Sequence, residues 1–316
     1  VRVIPAERID ATFDRVELVE TLRAAFCAPA ETPTRHHHTI PRKDGDATLL
    51  LMPAFDGETE AGFGHVGVKI VSVFPGNAAR GAATVQGVYL LFSGETGAPL
   101  ALIDGPRLTL WRTAAASALA ADYLARPDAS HLVMIGAGAV AAHLVEAHAA
   151  SRPIERVSIW SRRPEQAEAL AARLTQPRLV VKPVDDLEAA VAEADIVSAA
   201  TLSKVPLVRG ALLRPGTHVD LVGGFTPSMR EADDDAMRRA RVYVDTFDGA
   251  LAEAGDIVGP IASGVLTREA IMGDLFSLAR GESEGRRNAE EITLFKSVGT
   301  ALEDLAAAAH LWRRIG

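Results

Sequence analysis

The chain has 316 residues, enough for two domains of ordinary size, and 48% of them are hydrophobic but only 5% aromatic, so a large core must be built from Ala, Val, Leu and Ile. Its 33 basic and 41 acidic residues sum to a net charge of -8 without a sustained basic tract, which argues against a nucleic-acid partner. The start lacks the apolar run of a secretion signal and no later stretch reaches about eighteen consecutive apolar residues, so a cytoplasmic protein with no membrane partner is expected.

A helical stretch over Arg15 to Cys27 comes first, and Cys27, the sole cysteine, is expected as a small core residue because it can form neither an internal disulfide nor a thiolate zinc site. Thr48–Phe55, His65–Phe74 and Thr84–Phe92 are branched or aromatic runs bounded by turn residues and read as strands. Ser93-Gly-Glu-Thr-Gly97 turns the chain into Ala98–Ile103, which makes an antiparallel hairpin. The run Thr113–Leu124, which carries almost no charge, predicts a buried helix. Strands at His131–Ile135, Arg156–Trp160, Leu179–Val181, Asp195–Ala199, His218–Val222 and Arg241–Asp245 then alternate with helices, notably Pro164–Leu174, as right-handed crossovers of a mostly parallel sheet require. Finally, Ile292–Val298 reads as extended and Ala301–Ala309 as a helix that packs back on the first third. The fold class is therefore α/β, a dinucleotide-binding domain accompanied by a second α+β domain.

Gly136-Ala-Gly138-Ala-Val-Ala141 joins an apolar strand to a helix, the context in which a G-x-G-x-x-G/A fingerprint cradles pyrophosphate. Gly136 permits the tight turn, Gly138 lets the backbone approach the anion, and Ala141 keeps helix and sheet close. This is the mark of a Rossmann domain, with a structural turn in another α/β protein as the alternative. The second strand ends in Trp160-Ser-Arg-Arg163 with no acid for ribose hydroxyls, so Ser161, Arg162 and Arg163 are expected on a 2'-phosphate, favouring NADPH with NADH as the alternative.

Lys69 is the one ionic side chain in the apolar run Val66–Phe74 and must snorkel to water or meet a partner, for which a carboxylate of the substrate or of the protein is equally suited. Arg112 immediately precedes the predicted helix, where a cation is unfavourable unless an anion lies between, so it is a candidate carboxylate clamp or an interdomain ion pair. Arg35 is a weaker candidate. In an extended chain His36, His37 and His38 point to alternate faces and cannot converge on one ion, so no metal site is expected. Asp220 lies near a strand end, where a cap is the simpler role than a ligand.

The segments Gly67-Val-Lys-Ile-Val71, Thr84-Val-Gln-Gly87, Gly94-Glu-Thr-Gly-Ala-Pro-Leu100, Arg112-Thr-Ala-Ala-Ala-Ser117, Gly136-Ala-Gly-Ala139, Val222-Gly-Gly-Phe-Thr-Pro227 and Leu294-Phe-Lys-Ser-Val-Gly299 together resemble the ornithine cyclodeaminase and mu-crystallin family. The resemblance spans most of the chain and is strongest to the family's cyclic ketimine reductases. It implies a Rossmann domain at 116–290 and a substrate-binding, dimerisation domain made of 1–115 and 291–316. It implies that Lys69 and Arg112 line the substrate pocket with Arg35 as a third carboxylate contact. Thr84, Gly136, Gly138, Ala139, Val140, Thr201, Val222 and Gly223 are then expected on the cofactor. In the family's ornithine cyclodeaminases an aspartate follows the paired glycines; here Phe225 stands there and can neither take a proton nor pair with an ammonium. The resemblance thus implies NADPH-dependent reduction of Δ1-pyrroline-2-carboxylate to L-proline, with Δ1-piperideine-2-carboxylate as a further substrate. Ornithine cyclodeamination, alanine dehydrogenation and a non-catalytic crystallin-like role are the alternatives.

Overall fold

Two compact units make up the computed structural model, which describes residues 1–43, 45–57 and 64–315; one unit comprises residues 1–112 and 300–316, the other 113–299. In the first, β1 (Arg2–Ile4), β2 (Ala30–Glu31), β3 (His36–Ile40), β4 (Ala47–Asp56), β5 (His65–Val73), β6 (Val85–Ser93) and β7 (Pro99–Asp104) form one sheet in the order β1-β7-β6-β5-β4-β2, with β3 also on β4. All pairs but β1–β7 are antiparallel.

Register decides which side chains meet. Met52, Lys69, Tyr89 and Ile103 are aligned across β4 to β7, and all four are buried on the face against which the C-terminal helix Ala301–Ile315 lies. Period-two alternation sends Val68, Leu90 and Leu102 to the opposite face, where they are half-exposed.

Helices α1 (Ala6–Thr12), α2 (Arg15–Cys27) and α3 (Gly105–Leu124) complete this part of the chain. Asp14 caps α2 by accepting from the amides of Val16 and Glu17. The buried stripe of α2 is Leu18, Val19, Leu22 and Phe26, so Cys27 falls off it and is exposed, contrary to its expected place in the core. Helix α3 begins well before the expected Thr113, because the Asp104 carboxylate receives the Arg107 amide at 2.7 Å and starts the helix there. Arg112 is therefore interior to the helix, and the dipole argument for an anion at its terminus does not apply.

The second unit holds β8 (His131–Ile135), β9 (Arg156–Trp160), β10 (Val180–Pro183), β11 (Ile196–Ala199), β12 (His218–Leu221), β13 (Ala240–Val244), β14 (Ile271–Asp274) and β15 (Ile292–Lys296). Every pairing is parallel, in the order β10-β9-β8-β11-β12-β15-β13-β14. The crossovers carry α4 (Ala139–Ser151), α5 (Pro164–Leu174), α6 (Leu187–Glu193), α7 (Asp234–Arg239), α8 (Phe247–Glu253), α9 (Gly255–Ala262) and α10 (Leu275–Ala279). The expected boundary at 290/291 assigns β15 to the other unit, but β15 is buried along its length between β12 and β13 in this sheet. Its apolar strand satisfies two ladders there, and the chain leaves only after Gly299. No helix among the described residues is long and apolar enough to cross a membrane.

Candidate functional site

In the first unit, β5 brings Lys69 and α3 brings Arg112 to the first turn of the C-terminal helix, where Glu303 and Asp304 are fully buried. Lys69 Nζ lies 2.6 Å from Asp304 Oδ2, and Arg112 donates from Nε to Asp304 Oδ1 at 3.1 Å and from NH1 to Glu303 Oε2 at 2.6 Å. One carboxylate thus bridges both cations. Burial depresses the Lys69 ammonium to a pKa of about 8, with Asp304 resisting and Arg112 and Arg35 reinforcing the fall. Burial also disfavours the Arg112 charge, but Asp304 and Glu303 more than offset it and hold Arg112 above its ordinary value. Asp304 is itself kept below the ordinary carboxylate range by Arg112 and Lys69, in spite of the opposing effect of burial. Tyr89, opposite Lys69 in the register, is pushed well up by burial, and its hydroxyl makes no hydrogen bond among the described residues. Gly67 is required beneath it, since a Cβ there would come within 2.0 Å of that hydroxyl.

The sequence singled out the two cations but not their acids. Glu303 and Asp304 interrupt an apolar helix face, Ala301, Leu302 and Leu305, and that interruption is the signal that could have found them. Arg35, half-buried between β2 and β3, acts on Lys69 through its charge. His36, His37 and His38 lie exposed along β3 opposite Leu51, Leu50 and Leu49. Thr84, half-buried, precedes β6 and its carbonyl receives the Phe74 amide.

In the second unit the turns after β8, β9, β11 and β12 carry the remaining candidates. Gly136 has φ of 108°, and a Cβ there would lie 2.7 Å from the Ala200 carbonyl, so both conformation and space demand glycine. Gly138 precedes α4 with no side chain capping that helix, and a Cβ at Gly138 would meet nothing within 4 Å. An uncapped thirteen-residue helix behind an open backbone cradle, with Ala139 and Val140 in its first turn, fits a pyrophosphate. Thr201, Val222 and Gly223 follow β11 and β12. Gly223 packs on the backbone of Thr201 so closely that a Cβ would fall 2.0 Å from the Thr201 nitrogen.

Asp220 is neither a ligand at the strand end nor a cap. It is buried beneath the sheet and accepts from Ser117 Oγ at 2.9 Å and Ser198 Oγ at 2.7 Å, with His148 Nε2 at 3.1 Å. Burial would raise its pKa, but His148 and Ser198 hold it below the ordinary value. His218, two residues earlier, is lowered by burial to about 3 and stays neutral.

Residues 4–315 match the ornithine cyclodeaminase/mu-crystallin family. The chain belongs to this family. The Δ1-pyrroline-2-carboxylate reductase of Paracoccus denitrificans is 49% identical over 284 residues, covering 88% of this chain and 90% of that one. The Δ1-pyrroline-2-carboxylate reductase of Thermococcus litoralis, solved in complex with NADH and L-proline, superposes with a TM-score of 0.92 at 32% identity, covering 99% of this chain and 97% of that one. The iminosuccinate reductase of Paracoccus denitrificans, solved with NAD+, gives a TM-score of 0.85 at 29% identity, covering 98% of this chain and 94% of that one.

These family members correct the expected preference for NADPH, because the bound dinucleotides are NADH and NAD+. The physical reason lies in what Ser161, Arg162 and Arg163 are able to do. Both arginines are exposed, and the half-buried Ser161 hydroxyl accepts the Arg163 amide at 3.3 Å. A serine hydroxyl and water satisfy ribose hydroxyls as an acid does, so a missing acid is not a demand for phosphate.

Proposed function

We propose that the chain reduces Δ1-pyrroline-2-carboxylate to L-proline with NADH, and accepts the six-membered Δ1-piperideine-2-carboxylate by the same chemistry. The observation that carries this reading is 49% identity over 284 residues to a Δ1-pyrroline-2-carboxylate reductase, and Phe225 supports it. That side chain is 48% exposed directly after the paired glycines, an apolar surface suited to a ring and unable to serve an amine.

Reduction of the C2=N bond consumes one hydride and one proton. The Gly136–Val140 turn with Ser161, Arg162, Arg163, Thr201, Val222 and Gly223, and Thr84, would hold the reduced dinucleotide, whose chemistry would be supply of the hydride that C2 takes up. The substrate carboxylate is assigned to Arg112, whose NH1 and Nε are taken by Glu303 and Asp304 while NH2 makes no hydrogen bond among the described residues, with Arg35 as second contact. Lys69 is assigned the proton. With a pKa of about 8 it is charged at neutral pH yet gives up its proton far more readily than an ordinary lysine, and Asp304 orients its ammonium. A small ring held by its carboxylate leaves its imine nitrogen as the remaining polar atom, which suits a single buried donor.

The outer face of the first unit's sheet supports a homodimer. Val66, Val68, Leu90, Phe92 and Leu102 give it an apolar surface at least partly open to solvent, of the kind that a second copy covers.

The test is a comparative assay of purified protein with NADH and each cyclic imine, with pyruvate plus ammonia, and with ornithine and NAD+. Imine-dependent NADH oxidation with formation of L-proline or L-pipecolate is expected; turnover of ornithine without imine reduction overturns the reading.

A further inference from the structure

Glu231 lies in the segment between β12 and α7, fully buried, and no part of the proposed chemistry uses it. Its Oε1 accepts the Thr201 amide at 2.7 Å and the Thr201 hydroxyl at 2.9 Å, while its Oε2 accepts the amides of Gly223 at 2.7 Å and Gly224 at 3.1 Å. One carboxylate therefore ties the turn after β11 to the turn after β12. Four donors on two oxygens require the ionised form, because a protonated carboxyl or an amide turns part of itself into a donor.

The carboxylate is held from behind. Asp256, in the first turn of α9, accepts the amides of Glu231 at 2.8 Å and Ala232 at 3.0 Å. Lys296, the last residue of β15, places Nζ 3.4 Å from Asp256 Oδ2 and 3.8 Å from Glu231 Oε2, and all three side chains are fully buried. Such a cluster is a poor source of stability, since buried charges recover little more than their desolvation cost. What the carboxylate adds is acceptors for four donors on two separate turns, which fixes the spacing of those turns.

We infer that Glu231 is a positioning residue for dinucleotide binding, clamping Thr201 and the Gly223–Gly224 turn in the arrangement that receives the nicotinamide half. This rests on the assignment of Thr201, Val222 and Gly223 to the cofactor. Both oxygens of Glu231 are occupied by the two turns, so its part is assigned to holding them rather than to contact with cofactor or substrate.

The experiment compares full-length wild type, Glu231→Gln and Glu231→Asp by NADH fluorescence titration without imine, and by amide hydrogen exchange of the unliganded proteins. Glu231→Gln is expected to raise the NADH Kd at least about tenfold and to speed exchange at Thr201, Gly223 and Gly224 but not at Val133 in β8. Glu231→Asp keeps the charge but retracts it by one methylene, so it is expected to fold and to bind NADH with intermediate affinity. Burial holds the Glu231 carboxyl above its ordinary pKa, with Lys296 opposing and Asp256 adding to the shift. Acidification should accordingly weaken NADH binding by wild type more than by Glu231→Gln. A control, Leu266→Ala, opens a cavity in the same unit's core and should lower the melting temperature without changing the NADH Kd. Wild-type NADH affinity and exchange in either folded Glu231 variant overturns the inference, as does equal weakening in Leu266→Ala. Wild type that binds NADH but leaves the imines untouched overturns the proposed reaction and not the clamp; wild type that fails to bind NADH overturns both.

Discussion

Asp304 neutralises two cations with one carboxylate, and each of its oxygens has a separate partner. Asp304→Asn removes the charge that pairs with both Lys69 and Arg112, and leaves Arg112 its bond to Glu303. Breaking a buried pair from one side costs about 3–5 kcal/mol, read as a lowered melting temperature. The same substitution removes the main influence that resists depression of Lys69, so the alkaline limb of imine reduction should move below its wild-type position near pH 8. An unmoved limb in a folded variant would show that Lys69 is not the titrating donor. In wild type, if Lys69 is the donor, activity should fall as pH rises through about 8 because the donor proton is lost, while the fold should gain. Between that value and the ordinary lysine pKa the unfolded chain keeps a proton that the folded one has released. Rate and stability thus change in opposite directions over one pH window. At this scale Lys69 was legible because a charge in an apolar strand is conspicuous. Asp304 was not, since its partners lie far away in sequence and helical periodicity alone does not say what faces it.

The strand-turn-helix element β8–α4 separates two glycines with different duties. Gly136→Ala forces a side chain onto φ of 108° and against the Ala200 carbonyl, which should destabilise the protein by about 1–3 kcal/mol. Gly138 has φ of -78°, and a Cβ there meets no atom within 4 Å. Gly138→Ala should therefore leave stability within about 1 kcal/mol of wild type, since unfolded-state entropy favours alanine. It should still weaken NADH binding at least about tenfold, because the methyl group occupies the anion's approach. Unchanged NADH affinity in that variant would show that the turn does not hold pyrophosphate. Elements with an uninterrupted period were readable from residue pattern, as α5 shows by spanning Pro164–Leu174 as expected. Helix α3 was readable over Thr113–Leu124 but its start at Gly105 was not, because Arg107 and Arg112 break its apolar run and its cap is the end of the preceding strand.

On the scale of the whole molecule, the division into a mixed sheet and a parallel one followed from the change of period along the chain. The place of β15 did not, since Ile292–Lys296 suits either sheet and only the open position between β12 and β13 decides it. The mixed sheet carries a consequence for assembly. Its inner face is covered by the C-terminal helix, whereas Val68 pairs with Leu90 and Leu90 with Leu102 on the outer face, each half-exposed. At roughly 25 cal/mol per Å² of apolar surface removed from water, covering this face with its own copy is favourable. An interface of that kind is isologous, so a substitution on one chain recurs at the facing position of the other. Val68→Asp would bring two like charges into an apolar contact without a counter-ion, while in a single chain the carboxylate remains hydrated. Light scattering at micromolar concentration should then report one chain for Val68→Asp and two for wild type, with NADH affinity retained because the proposed pyrophosphate turn belongs to the other unit. A Val68→Asp protein that still runs as two chains would place the interface elsewhere.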